Sequence, residues 1–213
     1  MDVSIRKAKG LSAGQVVSAG LAELDDAGLE NLSLRAVARR LDVQPPALYW
    51  HVGNKQALLD RIGTELWRPA IMAAVAKGST GRPNWDDVVL SYARTLRASV
   101  TACRDGARVA GSTVLQDPEL LDAMEQTLAR HAQTGIDIDT VVLMFQTAQH
   151  ATIGFCLREQ SRTATAEQVA ERRIQLAATP HVATFSPLTS GSSDERFESM
   201  LSFILGTVRE THP

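Results

Sequence analysis

Two kinds of residue in this chain could do chemistry: a scatter of histidines and cysteines, and one tight group of basic and aromatic side chains. The five histidines stand at positions 51, 131, 150, 181 and 212, far apart in sequence. No HExxH, CxxC or Gly-rich phosphate loop appears, so the spacing that metal hydrolysis or phosphate transfer requires is absent. Cys103 and Cys156 belong to no metal-binding spacing. Asp137 and Asp139 flank a helix start, where carboxylates serve as caps. The other group is different. Only 5% of the chain is aromatic, yet Val43-Gln44-Pro45-Pro46-Ala47-Leu48-Tyr49-Trp50-His51-Val52-Gly53-Asn54-Lys55 sets two rings and an imidazole side by side, with Lys55 close behind. Arg35 stands a few residues ahead of it. An arginine fork can bond guanine O6 and N7 together, and a lysine can hold a phosphate. The competing reading is that Tyr49 and Trp50 complete a small core. The elements that carry them decide between the two.

Ser12 is a fitting N-cap for a first helix carrying Ala13, Val16, Val17, Leu21 and Leu24 on one face, ending near Gly28. Ser33 caps a second, in which Leu34, Val37, Ala38 and Leu41 recur at helical spacing. Asp42-Val43-Gln44 is a three-residue turn; aspartate is one of the few residues other than glycine that tolerate the left-handed conformation such turns use. Pro45 and Pro46 open a third helix, where a missing N–H costs nothing. On that helix Leu48 and Val52 share the inward face, Ala47, Trp50 and His51 lie largely away from it, and Tyr49 sits at the boundary. Asn54 caps a fourth helix, 54–66, with Leu58, Leu59, Ile62 and Leu66 on one side. Leu34, Val37, Leu41, Leu48, Leu58 and Ile62 already supply a core, so the rings are free to face outward. Two short helices joined by a tight turn, inside four helices, have the shape of a helix-turn-helix domain.

Helical spacing continues to the end of the chain, and the fold class expected is all-α. After a Gly/Ser/Pro break at 78–83, helices are expected at about 85–101, 105–113, 117–134 and 139–159. The helix over 139–159 is apolar around most of its circumference and must be covered on all sides. Thr165 and Gln168 form a capping box for a helix to about 178. Residues 179–193 read as a loop, and Ser192 with Glu195 as a second capping box. The last helix, 194–211, carries Phe197, Met200, Leu201, Ile204, Leu205 and Val208 as one stripe.

Net charge is −2, and residues 1–67 hold eight basic against eight acidic residues, so a nucleic-acid face must be a local patch. The longest unbroken run of strong hydrophobes, Val141–Phe145, is far too short to cross a bilayer. No signal-peptide pattern follows the charged first residues, so the cytoplasm is the expected compartment, with no membrane partner.

Residues 11–66 resemble the DNA-binding domain of the TetR family. The resemblance rests on Gly28, on Leu34-Arg35-x-Val37-Ala38-x-x-Leu41, on Leu48-Tyr49-Trp50-His51-Val52 and on Asn54-Lys55-x-x-Leu58-Leu59. It extends through Arg104-Asp105-Gly106-Ala107-Arg108-Val109 and through His150-x-x-x-Gly154 with Glu159-Gln160, and is weakest at 160–193. It implies two domains, a helix-turn-helix domain at 1–67 and a ligand-binding and dimerisation domain at 68–213. It implies a homodimeric repressor, not an enzyme, that binds palindromic operator DNA and is released by a small molecule.

By resemblance Arg35 contacts the operator, and Pro46, Tyr49, Trp50 and His51 occupy recognition positions that meet thymine methyls and phosphates. Lys55 matches a phosphate clamp. Ala47 stays on the groove-facing side, and Gln44 is open to two readings, a base contact or a cap for the turn. Pro45 and Ala47 stand where the tetracycline repressors carry hydrogen-bonding side chains, so a different operator is expected. Arg6, Lys7 and Lys9 either reach the DNA or form a tail. The two-fold pairing implied runs through helices 139–159 and 194–211. The pocket candidates are Ile71, Tyr92, Leu96, Ala110, Thr113, Met124, Val142 and Phe145. His150 reads as a satisfied core histidine, with a bond to ligand or partner chain as the other reading. Two magnesium-serving positions of the tetracycline repressors are here Ala110 and Arg158, neither able to ligate Mg²⁺. The effector expected is therefore mostly apolar or aromatic, with no metal and no cofactor. The alternatives are a ligand-independent DNA-binding protein and, behind it, an all-α enzyme.

Overall fold

The computed structural model describes residues 10–79, 83–132, 137–161, 165–184 and 191–211, and every regular element among them is a helix. In chain order these are α1 (Ala13–Ala27), α2 (Leu34–Arg40), α3 (Pro45–Val52), α4 (Lys55–Gly78), α5 (Trp85–Thr101), α6 (Gly106–Ser112), α7 (Pro118–Ala132), α8 (Ile138–Glu159), α9 (Ala166–Ala177), α10 (Pro180–Ala183) and α11 (Ser193–Thr211).

The helix ends follow local chemistry. Ser12 accepts from Gln15 N–H while the Gln15 side chain accepts from Ser12 N–H, closing the capping box of α1. Gly28 ends α1 at φ +80°, and its N–H reaches Leu24 O at 2.8 Å. The turn between α2 and α3 passes through Asp42 at φ 53°, the left-handed position expected of it. Thr165–Gln168 and Ser192–Glu195 also form the reciprocal boxes that their spacing calls for. Within 179–193, read as loop, residues 180–183 make one short helical turn.

One difference matters more. The expected division between residues 67 and 68 falls inside α4, which runs unbroken for 24 residues and tolerates Pro69 on an exposed face. Near that proline Ser99 Oγ donates to Leu66 O at 2.8 Å. A single apolar cluster follows α4, from Val16, Leu48 and Leu58 at one end to Tyr92, Leu96 and Ala110 at the other. Helices α1 and α3 pack against α4, with α2 seated on those two, and α5, α6 and α7 also pack against α4. A polar latch adds a second connection. Asp105 Oδ2 accepts from Leu29 N–H at 2.9 Å, Arg104 N–H donates to Asp25 at 2.9 Å, and Arg108 pairs with Glu30 at 2.8 Å.

A smaller apolar cluster joins α5, α8 and α11 through Val89, Met144, Phe197 and Leu201. Arg97 staples these three helices. Its guanidinium makes two bonds to Glu159, at 2.7 and 2.9 Å, reaches Asp194 at 2.8 Å and lies 4.7 Å from the centre of the Phe197 ring. That pairing holds the Glu159 carboxyl below its ordinary value.

Candidate DNA-reading helix and ligand cavity

Helix α3 is anchored by two residues. Leu48 is 0% and Val52 2% exposed, whereas Tyr49 is 55% and Trp50 90% exposed. A tryptophan so bare on a short helix is not there for core packing. Pro46 is exposed, and Ala47 and His51 are half-buried on the same segment. Gln44 is the N-cap residue of α3 but makes no side-chain cap bond, so the capping alternative is not taken up. Arg35 projects from the start of α2 and is exposed. Lys55 is exposed at the start of α4, where its Nζ donates to Leu29 O at 3.3 Å. Arg40, by contrast, is turned inward to Glu23 and Asp26 of α1 and braces α2. Arg6, Lys7 and Lys9 lie outside the described residues.

A cavity of about 570 Å³ opens between α4, α5, α6, α7 and α8, within the range of small-molecule sites. Ile71, Tyr92, Ala110, Thr113, Met124, Val142 and Phe145 all line it. Leu96 does not; it is 0% exposed in the main core, one turn beyond Tyr92 on the same face of α5, which has by then left the cavity. Sequence reasoning missed the aromatic box. Trp67 stacks on Tyr92 with centroids 6.4 Å apart, Phe145 meets Tyr92 edge-on at 5.1 Å, and Trp85 meets Phe145 at 6.3 Å. The i, i+4 spacing of Trp67 and Ile71 on one helix was the available signal. It also missed the polar side of the cavity. Gln146, Gln149 and His150 line it from α8, so His150 is an exposed cavity residue and not a core histidine. Tyr92 Oη donates to Gln149 Oε1 at 3.1 Å, and burial pushes the Tyr92 phenol well above its ordinary value.

No charged side chain lines the cavity among the described residues. The Ala110 carbonyl is occupied by Trp67 Nε1 at 3.0 Å, and Arg158 is exposed on α8 and does not line the cavity. A divalent cation would meet no carboxylate there, so the donor set does not fit a magnesium-bound ligand. The residues also offer no nucleophile. Gly10-Leu11-Ser12-Ala13-Gly14 has the letters of a nucleophile elbow, but Ser12 uses its hydroxyl to cap α1. Burial pushes the Cys103 thiol up to about 11 and the Cys156 thiol up to about 12, so neither is a thiolate near neutrality.

A bare aromatic helix after a tight turn, joined by one long helix to a ligand-sized cavity, defines a helix-turn-helix DNA-binding regulator. Comparison with known proteins names the group. "Bacterial regulatory proteins, tetR family" matches residues 16–62, and "Tetracyclin repressor-like, C-terminal domain" matches residues 77–211. The chain belongs to the TetR family of transcriptional regulators. It is 31% identical to the tetracycline repressor protein class C of Escherichia coli over 90% of this chain and 87% of that one. With the class A repressor from transposon 1721 it shares 30% identity over 92% and 89% of the two chains. Among solved structures it is similar to the Streptomyces coelicolor TetR family protein ActR in complex with actinorhodin, with a TM-score of 0.76, 27% identity and coverage of 95% and 98%. No helix among the described residues is long and apolar enough to cross a membrane.

Proposed function

We propose that this chain is a homodimeric repressor that holds palindromic operator DNA and is released by a small, largely apolar or aromatic effector bound without metal. The observation that carries this reading is the course of α4. The helix begins at Lys55, beside the DNA-reading helix, and its Trp67, Ile71, Ala74 and Val75 form one wall of the cavity. At about 1.5 Å per residue, Lys55 and Ile71 are about 24 Å apart along one helix. A shift at the wall therefore reaches α3.

Arg35, Pro46, Tyr49, Trp50 and His51, with Gln44 and Ala47 beside them, are the operator-facing residues on this reading, and Lys55 grips a phosphate. One such helix reads few base pairs, so two copies, about 34–36 Å apart, read a palindrome. Helices α8 and α11 supply the pairing surface, which suits the exposure of Leu143 (51%) and Phe203 (76%). The effector lies among Ile71, Tyr92, Ala110, Thr113, Met124, Val142 and Phe145. Its polar edge faces Gln149, and any ionised group sits at the open side near His150, because a charge buried among the aromatic rings would be unpaired. That chemistry accords with ActR, a relative that takes actinorhodin. To move the operator-bound population from about 99:1 to 1:99, the effector must prefer the released state by about 5.5 kcal/mol.

The test starts from a random duplex pool. The native chain is expected to select a palindromic sequence that Arg35→Ala and Tyr49→Ala bind less well, and to release it to a polycyclic aromatic probe such as actinorhodin equally with magnesium and with EDTA. Undiminished binding by both variants removes the DNA-site assignment; release that needs magnesium removes the metal-free effector.

A further inference from the structure

The polar atoms that line the cavity are not equally open to a guest. Four of the lining residues carry an O–H or N–H whose proton is already committed inside the protein. Tyr92 Oη donates to Gln149 Oε1 at 3.1 Å, Thr113 Oγ1 to Val109 O at 2.8 Å, Thr127 Oγ1 to Ala123 O at 2.8 Å, and Trp67 Nε1 to Ala110 O at 3.0 Å. A hydroxyl has one proton and two lone pairs, so a hydroxyl that has donated can only accept. Toward the cavity, Tyr92, Thr113 and Thr127 are therefore acceptors. Burial keeps the Tyr92 phenol protonated, so its bond to Gln149 persists at any pH near neutrality.

Gln149 has the opposite polarity. Its carbonyl oxygen is taken by Tyr92, and its amide nitrogen has no partner among the described residues. Tyr92 and Gln149 thus set an acceptor and a donor side by side. Trp67 and Phe145 pack their rings against the same tyrosine, so a flat guest lying among them brings an edge to this pair. A guest with a hydroxyl to give to Tyr92 Oη and a carbonyl to take from Gln149 Nε2 satisfies both. A methyl ether at the hydroxyl position has no proton to give, and sets its lone pairs against those of Tyr92. A phenolate has the same defect and adds a charge that no lining side chain beside this pair offsets.

We propose that the Tyr92–Gln149 pair is the specificity element of the cavity, and that it selects a neutral phenol bearing a ring carbonyl, held through the phenol's own proton on Tyr92 Oη. This rests on the repressor reading above and names the class of effector within it. The polarity is what a substitution can test. Tyr92→Phe keeps the ring and removes the lone pairs. Gln149→Leu leaves the tyrosine without its internal acceptor, so the Tyr92 proton turns to the cavity and can be given to an ether oxygen.

The experiment uses the full chain and three flat probes that share a ring carbonyl and differ at one position: flavone, 6-hydroxyflavone and 6-methoxyflavone. Affinities are read by calorimetric titration at a pH where absorbance shows the hydroxy probe to be protonated. The native chain is expected to bind the hydroxy probe about tenfold or more tightly than the methoxy probe, and several-fold more tightly than flavone. In Tyr92→Phe and in Gln149→Leu the hydroxy-to-methoxy ratio is expected to fall to within about twofold, whatever happens to each affinity. A tyrosine that only packs would weaken all three probes alike and leave the ratio standing. Should Tyr92→Phe fail to melt cooperatively, the ratio in Gln149→Leu decides. Equal native affinities overturn the proposal, as does an unchanged ratio in the variants. A native preference for the methyl ether overturns it too, since the Gln149 amide is then turned the other way. So does a chain that binds none of the three while actinorhodin still releases it from its operator. A chain that no aromatic probe releases, actinorhodin included, fails the effector reading itself and takes this inference with it.

Discussion

The DNA-reading helix and the ligand cavity are built in opposite ways. Helix α3 is eight residues long, and its outward face is set by the spacing of its own two anchors, Leu48 and Val52. The cavity takes its walls from five helices, with Trp67, Trp85, Tyr92 and Phe145 converging from three of them. A local surface follows from a period of 3.6 residues; a converging one follows from how helices cross, which no single segment encodes. The two regions should therefore respond differently to substitution.

The largest separation is expected from Leu48→Ala. It removes a fully buried side chain under α3, so global stability should fall by about 2–5 kcal/mol in denaturant titration. Trp50→Ala, two residues on, should change stability by no more than about 0.5 kcal/mol, since the ring is 90% exposed. Equal losses in the two variants would mean that α3 is packed on both faces. In operator binding the order reverses: Trp50→Ala and Arg35→Ala should each lose about 1–3 kcal/mol in gel-shift titrations while melting as the native chain does.

The cavity offers the complementary contrast. Met124, at its edge and 36% exposed, tolerates a larger ring, so Met124→Trp should weaken effector binding by about tenfold or more. The same variant should leave effector-free operator affinity and stability unchanged, and a loss of DNA binding would show that the two regions are not separable at this wall. A smaller effect is expected from Lys55→Gln, which should reduce the slope of log affinity against log salt by about one if Lys55 neutralises one phosphate. An unchanged slope assigns Lys55 to its Leu29 carbonyl contact instead.

The smallest expected effect is on pH. Bonding to Arg97 depresses the Glu159 carboxyl, so the stability it contributes is complete above the ordinary carboxylate range and is lost as pH falls through its lowered value. Melting temperature should decline on acidification, and Arg97→Gln should remove that part of the decline. An identical acid profile in the variant would assign the loss to other carboxylates.

What could be read in advance tracks this contrast. The N-cap at Ser12, the capping boxes at Thr165 and Ser192, the left-handed Asp42 and the outward Trp50 all depend on neighbours within four residues, and each is where its spacing places it. The pocket residues were reached only through resemblance, and the failure there is instructive. Leu96 lies on the face of α5 that carries Tyr92, but a turn's advance along the helix moves it from the cavity into closed core. His150 failed in the other direction, because the burial of a residue on an all-round apolar helix depends on which neighbour covers each side. The boundary after residue 67 came from the resemblance alone, and α4 runs through it without a break.

The sequence by itself determined the helical class, the ends of most helices and the chemistry presented by α3, because hydrophobic period, cap residues and proline placement act over a single turn. Only the tertiary structure decided that α4 is one helix serving both halves, and that four aromatic rings meet in one cavity wall. The same is true of the empty Cβ position of Gly63, filled by Thr113 from 50 residues away. These features are contacts between elements far apart in the chain, and their geometry exists only once the helices have packed.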